Sequence, residues 1–207
     1  QKEIYLNEEQ KNACNKVISE MFDQNKKPYM LHGVTGSGKT EVYMEIIDYA
    51  LSQGLDSIVL VPEIALTPQT ITRFRNSYGD IVGVFHSQLS ERQKHDVYKA
   101  IKSGNIRILI GARSALFAPF NSLGVIIIDE FHETSYKSEK NAKFSAIEVA
   151  KFIANKNNIS LVLGSATPSV ESYYYAKKNI FTLIEMNSRY NNIQLPKIEI
   201  IDMKKEE

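Results

Sequence analysis

The chain has 207 residues, 43% hydrophobic and 24% charged, a balance that suits one or two globular domains and excludes a disordered tail or a coiled coil. A chain of about 200 residues buries roughly 70% of its unfolded surface, so a full core needs no staples, and the single cysteine, Cys14, excludes an internal disulfide and a multi-cysteine zinc site. The net charge of +1 hides an uneven spread: residues 1–65 carry six Lys/Arg against ten Asp/Glu, residues 66–113 eight against three, and residues 114–207 eleven of each.

The basic middle suits either a solvated face or contact with a phosphate backbone, which needs local rather than total positive charge. No apolar run approaches the roughly 20 residues that a membrane helix needs, so no membrane partner is expected. The start, Gln1-Lys2-Glu3, is not a signal peptide and lacks an initiator Met. The chain reads as cytoplasmic and as a piece of a longer protein.

In chain order, Asn7 followed by Gln10 predicts a helix N-cap with a capping box. Behind it Ala13, Cys14, Val17, Ile18, Met21 and Phe22 fall on one helical stripe, which makes Cys14 a small core residue. Tyr29–Gly33 reads as a strand, and Gly38–Ser52 as a helix ended near Gly54. Further strands are expected at Ser57–Val61, Ile81–Phe85, Ile106–Ile110, Val125–Ile128, Ile159–Leu163 and Phe181–Ile184. Helices are expected at Thr67–Ser77, with Thr67 as cap and Pro68 in the first turn, and at Ser90–Ser103, Ser145–Asn157 and Ser169–Lys178. The runs at 125–128 and 159–163 do not alternate, as expected of strands covered on both faces. Strand and helix alternating in this way imply one α/β domain around a largely parallel sheet. Residues 187–207 differ: polar at first, then Pro196, a strand-like KIEIID and a charged end, the pattern of a last strand leading into a linker.

GVTGSGKT at 33–40 matches G-x-x-x-x-G-K-[ST] between a predicted strand and a predicted helix, the context of a phosphate-binding loop. Gly36, Ser37 and Gly38 let the backbone wrap a phosphate with its N–H groups inward, and the following helix adds its positive end. Lys39 neutralises β/γ-phosphate charge and Thr40 offers a hydroxyl to Mg²⁺. Asp129 and Glu130 follow the apolar run 125–128 and emerge where parallel sheets bind ligands, at the carboxyl ends of strands. Asp129 is the expected Mg²⁺ partner, and Glu130 the group that orients and deprotonates an attacking water. His132 completes DEFH at 129–132 and stands as a candidate coupler to GSATPS at 164–169, where Ser165 and Thr167 can bond to it or to the acids.

The phosphate loop, the DExH segment and the SAT segment, in this order, resemble the first motor lobe of a superfamily 2 helicase of the DEAD/DEAH-like kind. GVTGSGKTEVY (33–43), VPEIALTPQ (61–69), HSQLSER (86–92), GARSALFAPF (111–120), SYK (135–137) and GSATPSVES (164–172) narrow this to a resemblance to the primosomal protein N′ (PriA) family of replication-restart DNA helicases, over about residues 4–203. The resemblance implies a RecA-like P-loop NTPase fold, with the ATP-binding domain over 1–186 and a terminal strand and linker towards a second lobe over 187–207. It implies Gly33 and Gly36–Thr40 as the ATP cradle, and Asp129 and Glu130 as the Mg²⁺ and water residues. Gln10, in LNEEQ (6–10), is implied as an adenine contact. Pro62–Gln69 and Arg113–Phe117 correspond to segments near single-stranded DNA, with Thr67, Arg113, Ser114 and Phe117 as contacts; Thr67 and Ser114 also suit helix caps.

The implied partners are single-stranded and forked DNA and other primosome proteins, with zinc held only by family segments that this chain lacks. Two positions depart from the family pattern: Phe131, where DEEH is usual, and Ile147, where an arginine is common, in a segment poorer in aromatics that keeps Tyr136 and Phe144. In such motors a second lobe supplies an arginine worth about 10³–10⁵ in rate, so the chain reads as half an active site. A nucleotide-dependent DNA clamp without unwinding, and a P-loop small-molecule kinase, are the alternatives.

Overall fold

The computed structural model describes residues 6–136 and 145–188. Helix α1, Glu8–Ser19, starts where the capping signal sits: Asn7 Oδ1 accepts the Gln10 N–H at 2.9 Å, and Gln10 Oε1 accepts the Asn7 N–H at 2.8 Å. Ala13, Cys14, Val17 and Met21 are buried and Ile18 half-buried; the helix ends at Ser19, and past it Met21 still turns into the core whereas Phe22 is 56% exposed. Burial pushes the Cys14 thiol up to about 12, the state of an inert core residue.

The remaining elements alternate. They are β1 Tyr29–Gly33, α2 Lys39–Ser52, β2 Asp56–Leu60, α3 Pro68–Tyr78, β3 Val82–Phe85, α4 Glu91–Lys102, β4 Ile108–Gly111, β5 Leu123–Ile128, α5 Ala146–Asn157, β6 Ser160–Ser165, α6 Val170–Lys177 and β7 Thr182–Met186. Thr67 caps α3 and Ser90 caps α4, each accepting an N–H of the first turn. Single 3-10 turns at Glu63–Ala65, Gly79–Ile81, Arg113–Phe117 and Thr134–Tyr136 join them. The strand expected over KIEIID lies outside the described residues, as do Phe144 and Lys137.

The strands form one seven-stranded sheet in the order β3-β4-β2-β5-β6-β1-β7, every pair parallel. Alternate residues of β5 feed two cores: Val125 and Ile127 pack towards α1, α2 and α3, while Ile126 and Ile128 pack towards α4, α5 and α6. This double coverage explains why VIII does not alternate in polarity. Among the described residues, no helix is long and apolar enough to cross a membrane.

The strand order also fixes what meets at the carboxyl edge. β5, β6 and β1 are neighbours, so the segments leaving them, Asp129-Glu130, Ser165–Thr167 and the phosphate loop, are brought together from positions far apart in the chain. The ends of β2, β4 and β3 lie side by side on the other half of the same edge.

Candidate active site

Between β1 and α2 the chain must turn sharply without blocking its own concavity. Gly36 and Gly38 take positive φ values, 80° and 83°, which side chains disfavour. At Gly38 a Cβ would also stand 2.1 Å from Gln10 Nε2. That amide is fully buried and donates to the Ser37 carbonyl at 3.0 Å, so Gln10 ties α1 to the back of the loop. The side chain implied to read adenine thus sits in the scaffold, with both amide ends bonded within the protein.

Lys39 Nζ donates to the Gly33 carbonyl at 2.9 Å and stands 3.3 Å from Glu130 Oε1. Gly36, Ser37, Gly38, Lys39 and Thr40 line one open cavity of about 410 Å³ with Asp129 and Glu130. Lys39 and Thr40 open α2, so the helix's positive N-terminal end lies at this cavity.

Asp129 extends the β5 ladder, its N–H donating to the Leu60 carbonyl at 2.8 Å, and Phe131 returns to the sheet by donating to the Gly164 carbonyl at 3.0 Å. Glu130, caught between these bonds, adopts a left-handed φ of 44°. That conformation costs a non-glycine residue about 1–3 kcal/mol. It swings the carboxylate out over the loop, where Oε2 accepts the Ala166 N–H at 3.2 Å and lies 3.6 Å from His132 Nδ1. His132 in turn meets Ser165 Oγ at 2.7 Å through Nδ1 and Thr167 Oγ1 at 3.3 Å through Nε2. Phe131 is buried in the core between the sheet and α4–α6, so the side chain that departs from DEEH points away from this assembly. Ile147 packs against that same core.

Asp129 is held from below. Its Oδ1 accepts from the Tyr43 hydroxyl at 2.7 Å. Burial raises its carboxyl above the usual range, the Tyr43 bond and the Lys39 charge oppose this, and the Glu130 charge adds to it. Two neighbouring carboxylates with one lysine between them leave excess negative charge, the condition that favours a divalent cation. Asp129 and Thr40 are the oxygen donors that fit Mg²⁺, and the loop with Lys39 fits a polyphosphate. Burial raises the Tyr43 phenol well above its ordinary value, so it remains a donor at neutral pH.

The Tyr43 contact depends on Gly164. A Cβ there would come 1.7 Å from the Tyr43 hydroxyl oxygen and 3.2 Å from Asp129 Oδ1. Gly164→Ala is therefore expected to evict the hydroxyl, costing about 1–3 kcal/mol as an overpacked site and raising the Asp129 carboxyl further by removing its donor. Thermal unfolding reads the first effect; an unchanged midpoint would show that Tyr43 does not need this space.

The second half of the edge holds a cavity of about 540 Å³ whose lining includes His86, Lys94, Arg113, Ser114, Phe117 and Tyr136. Three of the four candidate DNA contacts thus share one cleft. Thr67 does not line it: it caps α3 and is exposed, its Oγ1 accepting the Thr70 N–H at 3.3 Å. Ser114 is not a cap, since Ala112 precedes its 3-10 turn. The two cavities share a partition, because the buried Tyr136 ring lines the cleft while its hydroxyl donates to the Asp129 carbonyl at 2.6 Å.

The candidates named from sequence omit Tyr43, Gly164 and the Arg73–Glu41 ion pair, which also lines the phosphate cavity. Tyr43 and Gly164 fall inside the quoted strings 33–43 and 164–172, but only the fold gives them a partner.

Residues 3–170 match the family described as Type III restriction enzyme, res subunit. The replication restart protein PriA of Bacillus subtilis is 45% identical over 97% of this chain, which covers 25% of that protein. PriA of Rickettsia typhi is 42% identical over 97% of the chain and 30% of the relative. PriA of Chlamydia pneumoniae is 42% identical over 96% and 27%. The chain thus spans between a quarter and a third of the length of these relatives. Among solved structures, that of RecG bound to a three-way DNA junction matches 89% of the chain and 24% of its own with a TM-score of 0.65 at 22% identity. The Hef helicase domain of Pyrococcus furiosus matches 86% and 38% with a TM-score of 0.60 at 16% identity. These two likenesses bear on fold alone: the sheet has the RecA-like arrangement of these neighbours.

Proposed function

The chain belongs to the family described as Type III restriction enzyme, res subunit, and from that membership together with its likeness to the PriA relatives we propose that it is the ATP-binding lobe of an ATP-dependent DNA helicase acting in replication restart and primosome assembly at stalled forks. The observation that carries the ATP-binding part is the single assembly made by three neighbouring strand ends: Lys39 against Glu130, Glu130 against the Ala166 N–H, and His132 between Ser165 and Thr167. Residues 1–186 make up the nucleotide-holding domain, and 187–207 lead towards a second lobe.

In this reading the loop 33–40 cradles the phosphates of Mg·ATP, with Lys39 neutralising their charge and Thr40 and Asp129 holding Mg²⁺. The ion supplies Lewis-acid stabilisation of the phosphate oxygens. Glu130 accepts the proton of the attacking water. Through Ala166 and His132 the state of Glu130 reaches the Ser165–Thr167 segment, where hydrolysis couples to movement. Gln10 contributes by shaping the loop, and it reaches adenine only if the α1 contact opens. Single-stranded or forked DNA lies along the 540 Å³ cleft, drawn by the basic stretch 66–113 and met by Arg113, Ser114 and Phe117. Thr67 serves at most a more distant stretch of the same track. Other primosome proteins are partners of the longer protein.

ATP turnover with and without forked DNA, by this chain beside the full-length Bacillus subtilis relative, tests the proposal. Turnover stimulated by DNA only in the longer protein is the expected result, since the transition-state arginine comes from a second lobe. Strong turnover by this chain alone would mean its own residues complete the site. No turnover by either would favour a nucleotide-dependent DNA clamp.

A further inference from the structure

Arg73 enters the phosphate cavity from α3, an element that contributes none of the loops assembled above. α3 is seated by Phe74, buried in the core, and by Tyr78, whose hydroxyl donates to the Met44 carbonyl of α2 at 2.9 Å. One position before Phe74, Arg73 projects along the first turn of α2 and pairs with Glu41. Among the described residues lining the cavity, Lys39 and Arg73 are the cations, set against the carboxylates of Glu41, Asp129 and Glu130.

Their states differ. Lys39 is only 10% exposed and already divided between the Gly33 carbonyl and Glu130. Arg73 is 46% exposed and its partner Glu41 19%, so the guanidinium itself stays open to water and free to exchange partners. A guanidinium fork fits phosphate oxygens in two parallel hydrogen bonds, and a polyphosphate is a stronger competitor for it than one carboxylate. The lining matters as well: Arg73 shares the cavity with Asp129 and Glu130, the acids beside which the terminal phosphate is cut under the proposed function.

We propose that Arg73 is a second cationic contact for the terminal phosphate of the bound nucleotide, parked by Glu41 at the cavity mouth until the nucleotide displaces it. This rests on the nucleotide-binding reading of the site. It predicts effects of opposite sign from the two partners of one ion pair, which a strut between α2 and α3 does not.

The experiment is titration calorimetry of the 207-residue chain with Mg²⁺ and either a non-hydrolysable ATP analogue or ADP, for wild type, Arg73→Gln, Glu41→Gln, the double variant and Lys39→Ala. Arg73→Gln should weaken the triphosphate analogue by roughly tenfold or more, the loss expected of one charge-assisted contact, and ADP much less. Glu41→Gln should tighten the triphosphate analogue, and the gain should vanish in the double variant. Equal loss for both nucleotides, no loss for either, or weakening by Glu41→Gln would each overturn the proposal. Lys39→Ala separates the premise: if it leaves both affinities unchanged, the nucleotide reading fails, whereas loss there with no response from Arg73→Gln sinks the Arg73 contact alone.

Discussion

Glu130→Gln should leave Mg·ATP binding nearly unchanged and slow hydrolysis by a complete motor by about two to four orders of magnitude, the range of a lost general base. The glutamine keeps the shape of the side chain, and its amide oxygen can still accept the Ala166 N–H that Glu130 Oε2 accepts at 3.2 Å. It cannot take a proton from water. The substitution also removes a negative charge that raises the Asp129 carboxyl, so Asp129 should titrate lower in the variant. The sign follows from the site: cation binding needs Asp129 ionised, so in wild type it should fade with acid at a higher pH than for an ordinary aspartate, and in Glu130→Gln at a lower pH than in wild type. Single-turnover hydrolysis beside equilibrium nucleotide binding across pH reads both effects. Full turnover in the variant would assign the water to another group.

The features legible from sequence share a physical property: each is decided by residues close together in the chain. β1 is observed with its expected bounds, Tyr29–Gly33, because an apolar run flanked by Pro28 and a glycine-rich loop leaves little freedom. The capping box at Asn7 and Gln10 is a contact across three residues. β5 begins at Leu123, two residues before the expected start, because its pairing with β2 shifts register between Asp56 and Ser57, and backbone pairing across 67 or so residues leaves no mark in side-chain pattern. The stripe on α1 runs past the helix end to Phe22, since periodicity alone does not report where the backbone turns away.

The site divides the same way. Residues 33–40, 129–132 and 165–167 announce themselves as local strings. Tyr43 beneath Asp129 is a contact across 86 positions, and Arg73 beside Glu41 one across 32. The signals that placed Gln10 and Thr67 were real as helix-start signals, and the fold uses both residues in that way.

Lys39→Ala should weaken Mg·ATP binding by a hundredfold or more, the larger end of what one charge-assisted phosphate contact supplies, about 3 kcal/mol. Two separate losses produce this. The phosphates lose a cation that is already buried and oriented by the Gly33 carbonyl. The carboxylate pair also loses a buried counter-charge. Lys39 is one of the groups that hold the Asp129 carboxyl down, so its removal moves Asp129 further above the ordinary range and weakens it as a cation ligand near neutrality. Lowering the pH protonates Asp129 sooner in the variant, and raising the pH should recover part of the cation affinity but none of the phosphate contact. Nucleotide titrations at two pH values, with and without Mg²⁺, separate the two losses. Unchanged affinity at both would remove the phosphate loop from the site, and equal loss at both would show that the lysine acts on the phosphates alone.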